Sequence, residues 1–104
     1  MSRDFTFIDD IISGTISAID KNYEYEIFNL GNSKSVKLMK LINTIEKELN
    51  KKSEIKFKSL QDGDMISTSA DIEYSIKKLG FKPKTSIENG IPKLIQWYRS
   101  YYNV

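Results

Sequence analysis

The chain has 104 residues with no cysteine and no histidine, which excludes disulfides and thiolate catalysis and removes the side chains that most zinc sites and hydrolytic triads need. Its 14 lysines and 2 arginines against 14 acids leave a net charge of +2, and the lysines are scattered, without the basic stripe and stacking aromatics of a nucleic-acid module, so no nucleic-acid partner is expected. No apolar run approaches the ~20 residues of a membrane span and no apolar block opens the chain as in a secretory signal, so a single small cytoplasmic domain with no membrane partner is expected.

Phe5, Phe7 and Ile8 read as a short strand running into Asp9-Asp10, an acidic pair able to cap a helix. Ile8, Ile11, Ile12, Thr15, Ile16 and Ile19 then mark one face at helical spacing, with an exit at Asp20-Lys21-Asn22. Residues 23–30 are rich in aromatic and β-branched side chains and close on Gly31-Asn32, which predicts a strand ending in a tight turn. Ser35 is placed to cap a second helix, whose Leu38, Leu41, Ile42, Ile45 and Leu49 form one stripe ending near Asn50. In residues 54–60, Ile55 and Phe57 alternate with lysines, as in a half-exposed strand, and the loop Gln61-Asp62-Gly63-Asp64 follows.

A short helix is predicted over 71–79, burying Ile72, Ile76 and Leu79 and stopping at Gly80, with Pro83 beyond. Thr85-Ser86-Ile87-Glu88 has the spacing of a capping box. The helix it opens runs to about Tyr102, and Pro92, which lacks an N–H, should bend it. No linker, repeat or low-complexity tract divides the chain. The order of elements predicts a small α/β layer, a short sheet covered by about four helices, with too few strands to satisfy both sheet edges.

Four short motifs then carry a resemblance. They are Arg3-Asp4-Phe5-Thr6, Phe28-Asn29-Leu30-Gly31-Asn32, Gly63-Asp64 with Ala70-Asp71, and Leu79-Gly80-Phe81-Lys82-Pro83-Lys84-Thr85, joined by a terminal set of Gly90, Trp97-Tyr98 and Tyr101-Tyr102. In order and spacing they resemble the C-terminal part of extended short-chain dehydrogenase/reductase enzymes, the NAD-dependent epimerase/dehydratase family, on the UDP-glucuronate or UDP-N-acetylglucosamine 4-epimerase branch. The resemblance implies a substrate-binding lobe without the dinucleotide-binding half of a Rossmann-type enzyme. It also implies a UDP-sugar as ligand, and a missing or separate NAD-binding lobe as partner.

Arg3 is the leading ligand candidate, because a guanidinium fork matches a pyrophosphate, and similar enzymes use this arginine there. Read without the resemblance, it is an exposed terminal arginine paired with Asp4. Asp64 follows Gly63, a residue that allows backbone to approach a ligand closely. Its carboxylate could accept hydrogen bonds from ribose hydroxyls, as in the similar enzymes, or simply close a turn. Gln61 stands where several relatives carry a second pyrophosphate arginine, so the loop brings one charge fewer and at most a neutral hydrogen bond. Asp9, Asp10 and Asp71 are read as helix caps, and Trp97, Tyr98, Tyr101 and Tyr102 as core or interface.

Tyr74 and Lys78 have the spacing of the superfamily's catalytic pair, but in the family that pair lies upstream of the Arg-Asp-Phe segment, so the match is read as coincidence. No Gly-x-Gly-x-x-Gly follows a strand, so no loop brings backbone N–H groups onto a dinucleotide pyrophosphate. No catalytic residue and no cofactor-binding residue is assigned, and NAD is implied only for the complete enzyme. Two readings remain open: the nucleotide-sugar-binding portion of a 4-epimerase, inactive alone, or a catalytically silent module that meets another protein through its apolar face. Either leaves apolar surface exposed, so self-association is expected.

Overall fold

A computed structural model describes residues 1–104. Strand β1 (Ser2–Arg3) pairs antiparallel with β2 (Val36–Lys37), with Ser2 opposite Lys37 and Arg3 opposite Val36. On its other side β1 meets residues 66–68, where Ser2 N–H donates to the Ile66 carbonyl (2.8 Å) and Thr68 N–H to the Ser2 carbonyl (3.2 Å). Around this small sheet stand four helices: α1 (Ile8–Lys21), α2 (Leu38–Leu49), α3 (Glu73–Leu79) and α4 (Ile87–Tyr102). The small α/β layer with about four helices is therefore present, with a shorter sheet than the residue pattern suggested.

Two predicted strands do not form. Residues 23–30 and 54–60 have no ladder partner, and strand hydrogen bonding needs one however favourable the residues are. Residues 23–30 are held by side chains instead. Tyr23 Oη donates to the Lys78 carbonyl (3.1 Å), Asn29 Nδ2 to the Asp71 carbonyl (3.4 Å), and Ser75 Oγ to the Asn29 carbonyl (2.6 Å). Residues 54–60 are exposed throughout, with Phe57 85% accessible. The strand expected at Phe5 to Ile8 lies earlier, at Ser2–Arg3, and Ser35 caps no helix; Val36–Lys37 enters the sheet, and Ser35 Oγ bonds Ser67 Oγ at 2.8 Å.

The helices follow the apolar periodicity, but their ends differ from expectation. Neither Asp9 nor Asp10 caps α1, where Phe7 occupies the N-cap position without a side-chain bond. Asp10 is buried and accepts from Lys84 N–H and Thr85 N–H, both at 3.1 Å, tying α1 to the turn before α4. Asp71 does serve its helix, accepting Glu73 N–H at 3.1 Å, and Gly80 closes α3 at φ 66°. Ser86 makes no side-chain bond to the α4 backbone. Glu88 instead reaches Lys40 at 2.6 Å, and the Lys40 ammonium is the main reason its carboxyl is pulled down to about 2. α4 continues through Pro92.

Two small cores result. Ile72, Leu79 and Phe81 pack with Ala18, Phe28, Leu30 and Ala70, while Ile87, Ile91 and Ile95 of α4 pack on Phe5, Val36 and the α2 stripe Leu41, Ile45 and Leu49. Ile76, expected in the core, is half exposed, because α3 turns Ser75 inward to bind the Asn29 carbonyl. Trp97, Tyr98, Tyr101 and Tyr102 are also about half exposed or more and stack mainly on one another, so they are not core.

The Asp4 carboxylate joins the sheet to the first core. It accepts the backbone N–H groups of Asn32 (3.0 Å), Ser33 (2.9 Å) and Ala70 (2.9 Å). Buried Gly31 lies in this knot, where an added Cβ would stand 2.6 Å from Ala70 Cβ and 2.9 Å from Asp4 Oδ2. Gly31→Ala therefore forces backbone apart and should lower stability by about 1–3 kcal/mol, read as a lower urea midpoint; an unchanged midpoint would contradict this packing.

Candidate functional site

Arg3 lies on β1, between β2 and the bridge to Ser67, and the loop 61–64 leads into that bridging segment. Arg3 is half-buried, and its single hydrogen bond runs from Nη1 to the Ser2 carbonyl at 2.8 Å. It forms no ion pair with Asp4, whose oxygens are engaged by the three backbone donors. The guanidinium fork thus keeps most of its donors for another group. Gln61 and Asp64 are exposed and joined in one turn by Asp64 N–H donating to the Gln61 carbonyl (3.1 Å), with Gly63 at φ 87°. Such a positive φ favours glycine. Two residues beyond Asp64, the Ile66 carbonyl accepts Ser2 N–H, which ties the segment after the loop to β1.

Sequence reasoning missed Asp4 as the residue that ties β1 to two distant loops. Its partners lie 28, 29 and 66 residues away in the chain, and the nearest hint was the glycine at position 31 in the Asn-Leu-Gly-Asn segment. Also unanticipated is an apolar groove of about 400 Å³ between residues 5–8, α2 and α4, lined by Phe5, Phe7, Leu41, Ile45 and Leu94 among others. None of Arg3, Gln61 or Asp64 lines it.

Tyr74 and Lys78 are not arranged for proton abstraction. Tyr74 Oη donates to Glu26 Oε2 at 2.8 Å, and this bond to a carboxylate, the largest cause, raises the phenol above its ordinary value. A tyrosine base needs the opposite shift. Lys78 Nζ lies 6.0 Å from the ring centroid, over its face.

The residues also do not fit a dinucleotide cofactor. Gly14 and Gly90 lie inside helices against Leu30 and Phe7, Gly31 is packed on Ala70, and Gly63 and Gly80 occupy a loop turn and a helix exit. No glycine stands where a strand turns into a helix N-terminus, the geometry that cradles a pyrophosphate. No three His, Cys, Asp or Glu side chains converge to hold a metal, and no helix is long and apolar enough to cross a membrane.

The fold and the arrangement of the motifs define a lobe of the extended short-chain dehydrogenase/reductase class, and comparison with known proteins gives the particular branch. No protein-family model matches the chain. An uncharacterized protein of Methanocaldococcus jannaschii is 54% identical over 98 residues, which cover 94% of this chain and 30% of that protein. UDP-glucuronate 4-epimerase 1 of Arabidopsis thaliana is 35% identical, over 98% of this chain and 27% of its own length. Among solved structures, UDP-glucuronic acid 4-epimerase from Bacillus cereus, in complex with UDP-glucuronic acid and NAD, superposes with a TM-score of 0.83 at 28% identity, over 95% of this chain and 32% of its own. The chain belongs to the NAD-dependent epimerase/dehydratase family and corresponds to a C-terminal part of its members, spanning about 30% of the length of the relatives it matches.

The Tyr74–Glu26 bond gives a direct check on the exclusion of a tyrosine base. Absorbance titration should show one tyrosine ionising above the ordinary phenol range of about 10, returning to it in Glu26→Gln. A Tyr74 that ionises below that range would reopen a catalytic role.

Proposed function

We propose that the chain is the nucleotide-sugar-binding portion of an NAD-dependent UDP-glucuronate or UDP-hexose 4-epimerase, forming a single substrate-binding lobe over residues 1–104. One observation carries this reading: the chain is homologous over nearly its whole length to UDP-glucuronate 4-epimerases, and the guanidinium of Arg3, on β1, is free of any ion pair within the chain. Arg3 grips the UDP pyrophosphate through charge-assisted hydrogen bonds, Asp64 accepts from the ribose hydroxyls, and Gln61 donates one neutral bond. The lobe is inactive alone, because it offers neither a dinucleotide site nor a tyrosine base, and NAD belongs to the complete enzyme.

The half-buried position of Arg3 strengthens its contact. An ion pair at a wet surface is worth little, but a guanidinium braced by the Ser2 carbonyl and partly shielded loses less to solvent. Charge-assisted bonds of this kind contribute about 1.5–3 kcal/mol each. Removing the fork should therefore weaken UDP by tenfold or more.

Amide NMR titration of the labelled chain with UDP tests this. Shifts are expected at Arg3 and in the 61–64 loop, with affinity at least tenfold lower in Arg3→Ala and only partly restored in Arg3→Lys. A wild-type spectrum indifferent to UDP, or an Arg3→Ala variant that titrates like wild type, would refute the assignment.

A further inference from the structure

The stripe that builds the second core does not stop where the core stops. Ile87, Ile91, Ile95, Tyr98 and Tyr102 recur at helical spacing along α4, yet the isoleucines are buried and the two tyrosines are 49% and 55% exposed. Leu94, Trp97 and Tyr101 form a second row beside them, at 49%, 54% and 69%. Helix length explains the change. α2 and α4 start together, with Lys40 bonded to Glu88, and pack side by side through Leu41, Ile45 and Leu49. α2 has 12 residues and α4 has 16, so α4 runs about one turn past the end of its neighbour. Its last turn has no layer over it.

That uncovered end is aromatic with polar tips. Trp97 stacks on Tyr101 with ring centroids 5.3 Å apart, Tyr98 lies tilted against Tyr102 at 4.7 Å, and Tyr101 meets Tyr102 edge-on at 4.9 Å. The hydroxyls of Tyr23 and Tyr74 are bonded within the chain, whereas those of Tyr98, Tyr101 and Tyr102 are not, nor is the Trp97 N–H. Rings with an apolar body and an unbonded polar tip suit a boundary between an apolar and a wet phase.

Charge at this end of the helix pair is mostly of one sign. After Glu88, α4 carries no acid, only Lys93 and Arg99, and residues 46–58, which run through the end of α2, hold five lysines against three glutamates. Lys47, Lys51 and Lys52 border one polar depression with Glu46. The Glu46 carboxylate is taken up by Ser53, accepting its N–H at 2.7 Å and its hydroxyl at 2.8 Å. The chain's one ion pair is Lys40–Glu88, so these lysines are unpaired. Two copies meeting through α4 would set like charges together, which opposes association. A nucleic acid is a poor match too, since base stacking needs an open ring face and each ring here already has another of the cluster against it.

We infer that the aromatic end of α4 and the lysines at the end of α2 form a peripheral seat on an anionic lipid bilayer, with the rings at headgroup level and the lysines on lipid phosphates. Aromatic and basic side chains together are what an interfacial helix uses to lie on a membrane without crossing it. The lack of a long apolar helix, which led to the expectation of no membrane partner, therefore does not bear on this seat. Each basic residue close to such a surface strengthens binding roughly fivefold, and salt weakens that part of the attraction. The seat goes beyond the nucleotide reading and does not depend on it.

Trp97 is the only tryptophan of the chain, so its fluorescence reports on the seat directly. The 104-residue chain is titrated with vesicles of phosphatidylcholine alone and of phosphatidylcholine and phosphatidylglycerol in equal parts. With the anionic vesicles Trp97 emission should move to the blue and lose access to acrylamide, an effect that high salt reverses; neutral vesicles should bind at least tenfold more weakly. Tyr101→Ser/Tyr102→Ser and Lys51→Gln/Lys52→Gln should each weaken binding to the anionic vesicles at least tenfold, with the amide dispersion of the wild-type chain kept. The lysine pair is exposed and outside both cores, so it carries the test even if the tyrosine pair fails to fold. A Trp97 that ignores both kinds of vesicle overturns the inference, as does equal binding to the two or binding that neither double variant weakens. It is also overturned if the blue shift follows protein concentration without lipid, which would make the end of α4 a self-contact, or if a single-stranded oligonucleotide quenches Trp97 where anionic vesicles leave it unchanged.

Discussion

The carboxylate of Asp4 holds the small sheet to the loops at residues 32–33 and 70. Three backbone N–H groups converge on it from two segments distant in sequence, and hydrogen bonds to a charged acceptor are about twice as strong as neutral ones. With strands of two residues each, the sheet has few ladder bonds to offer. Order in the loops comes instead from side chains that reach the backbone: Asp4 at residues 32, 33 and 70, Asp10 at residues 84 and 85, and Ser75 at residue 29. Because Asp4 is fully engaged in this way, its neighbour Arg3 is left without an internal acid to neutralise it. A structural carboxylate and an unpaired guanidinium thus stand side by side for one physical reason.

The helices were legible because a 3.6-residue period is a local property. α2 and α4 lie over the leucine and isoleucine stripes that their spacing marks, and Gly80 ends α3 in the left-handed conformation. The strands were not legible, because residues 23–30 and 54–60 have β-forming side chains and no partner within this chain. The roles of Asp4 and Asp10 were hidden for a related reason. Short-range spacing made one an ion-pair partner and the other a helix cap, whereas their hydrogen bonds reach up to 66 and 75 residues along the chain. Motif order named Arg3 and the 61–64 loop as candidates, but nothing in it told that Ser2 would bond Ile66 and Thr68, just beyond that loop.

Exposed polar and apolar surfaces lie apart on this chain. Under the proposed reading Arg3 and the 61–64 loop take the nucleotide, whereas the α1 isoleucines are apolar side chains left at the surface. Only 11 of 104 residues are buried, and the entropy of ordering a chain this long is of order 100 kcal/mol. So little core leaves a narrow margin of stability. A ligand or partner that binds only the folded chain would raise its stability by mass action.

The pyrophosphate grip is the centre of the functional reading, and calorimetric titration of the chain with UDP and with uridine measures it most directly. Binding of UDP at least tenfold tighter than uridine is expected, since only UDP presents phosphate oxygens to the Arg3 fork. Equal affinity for the two, or no binding of either, would contradict a lobe that holds its nucleotide by the pyrophosphate.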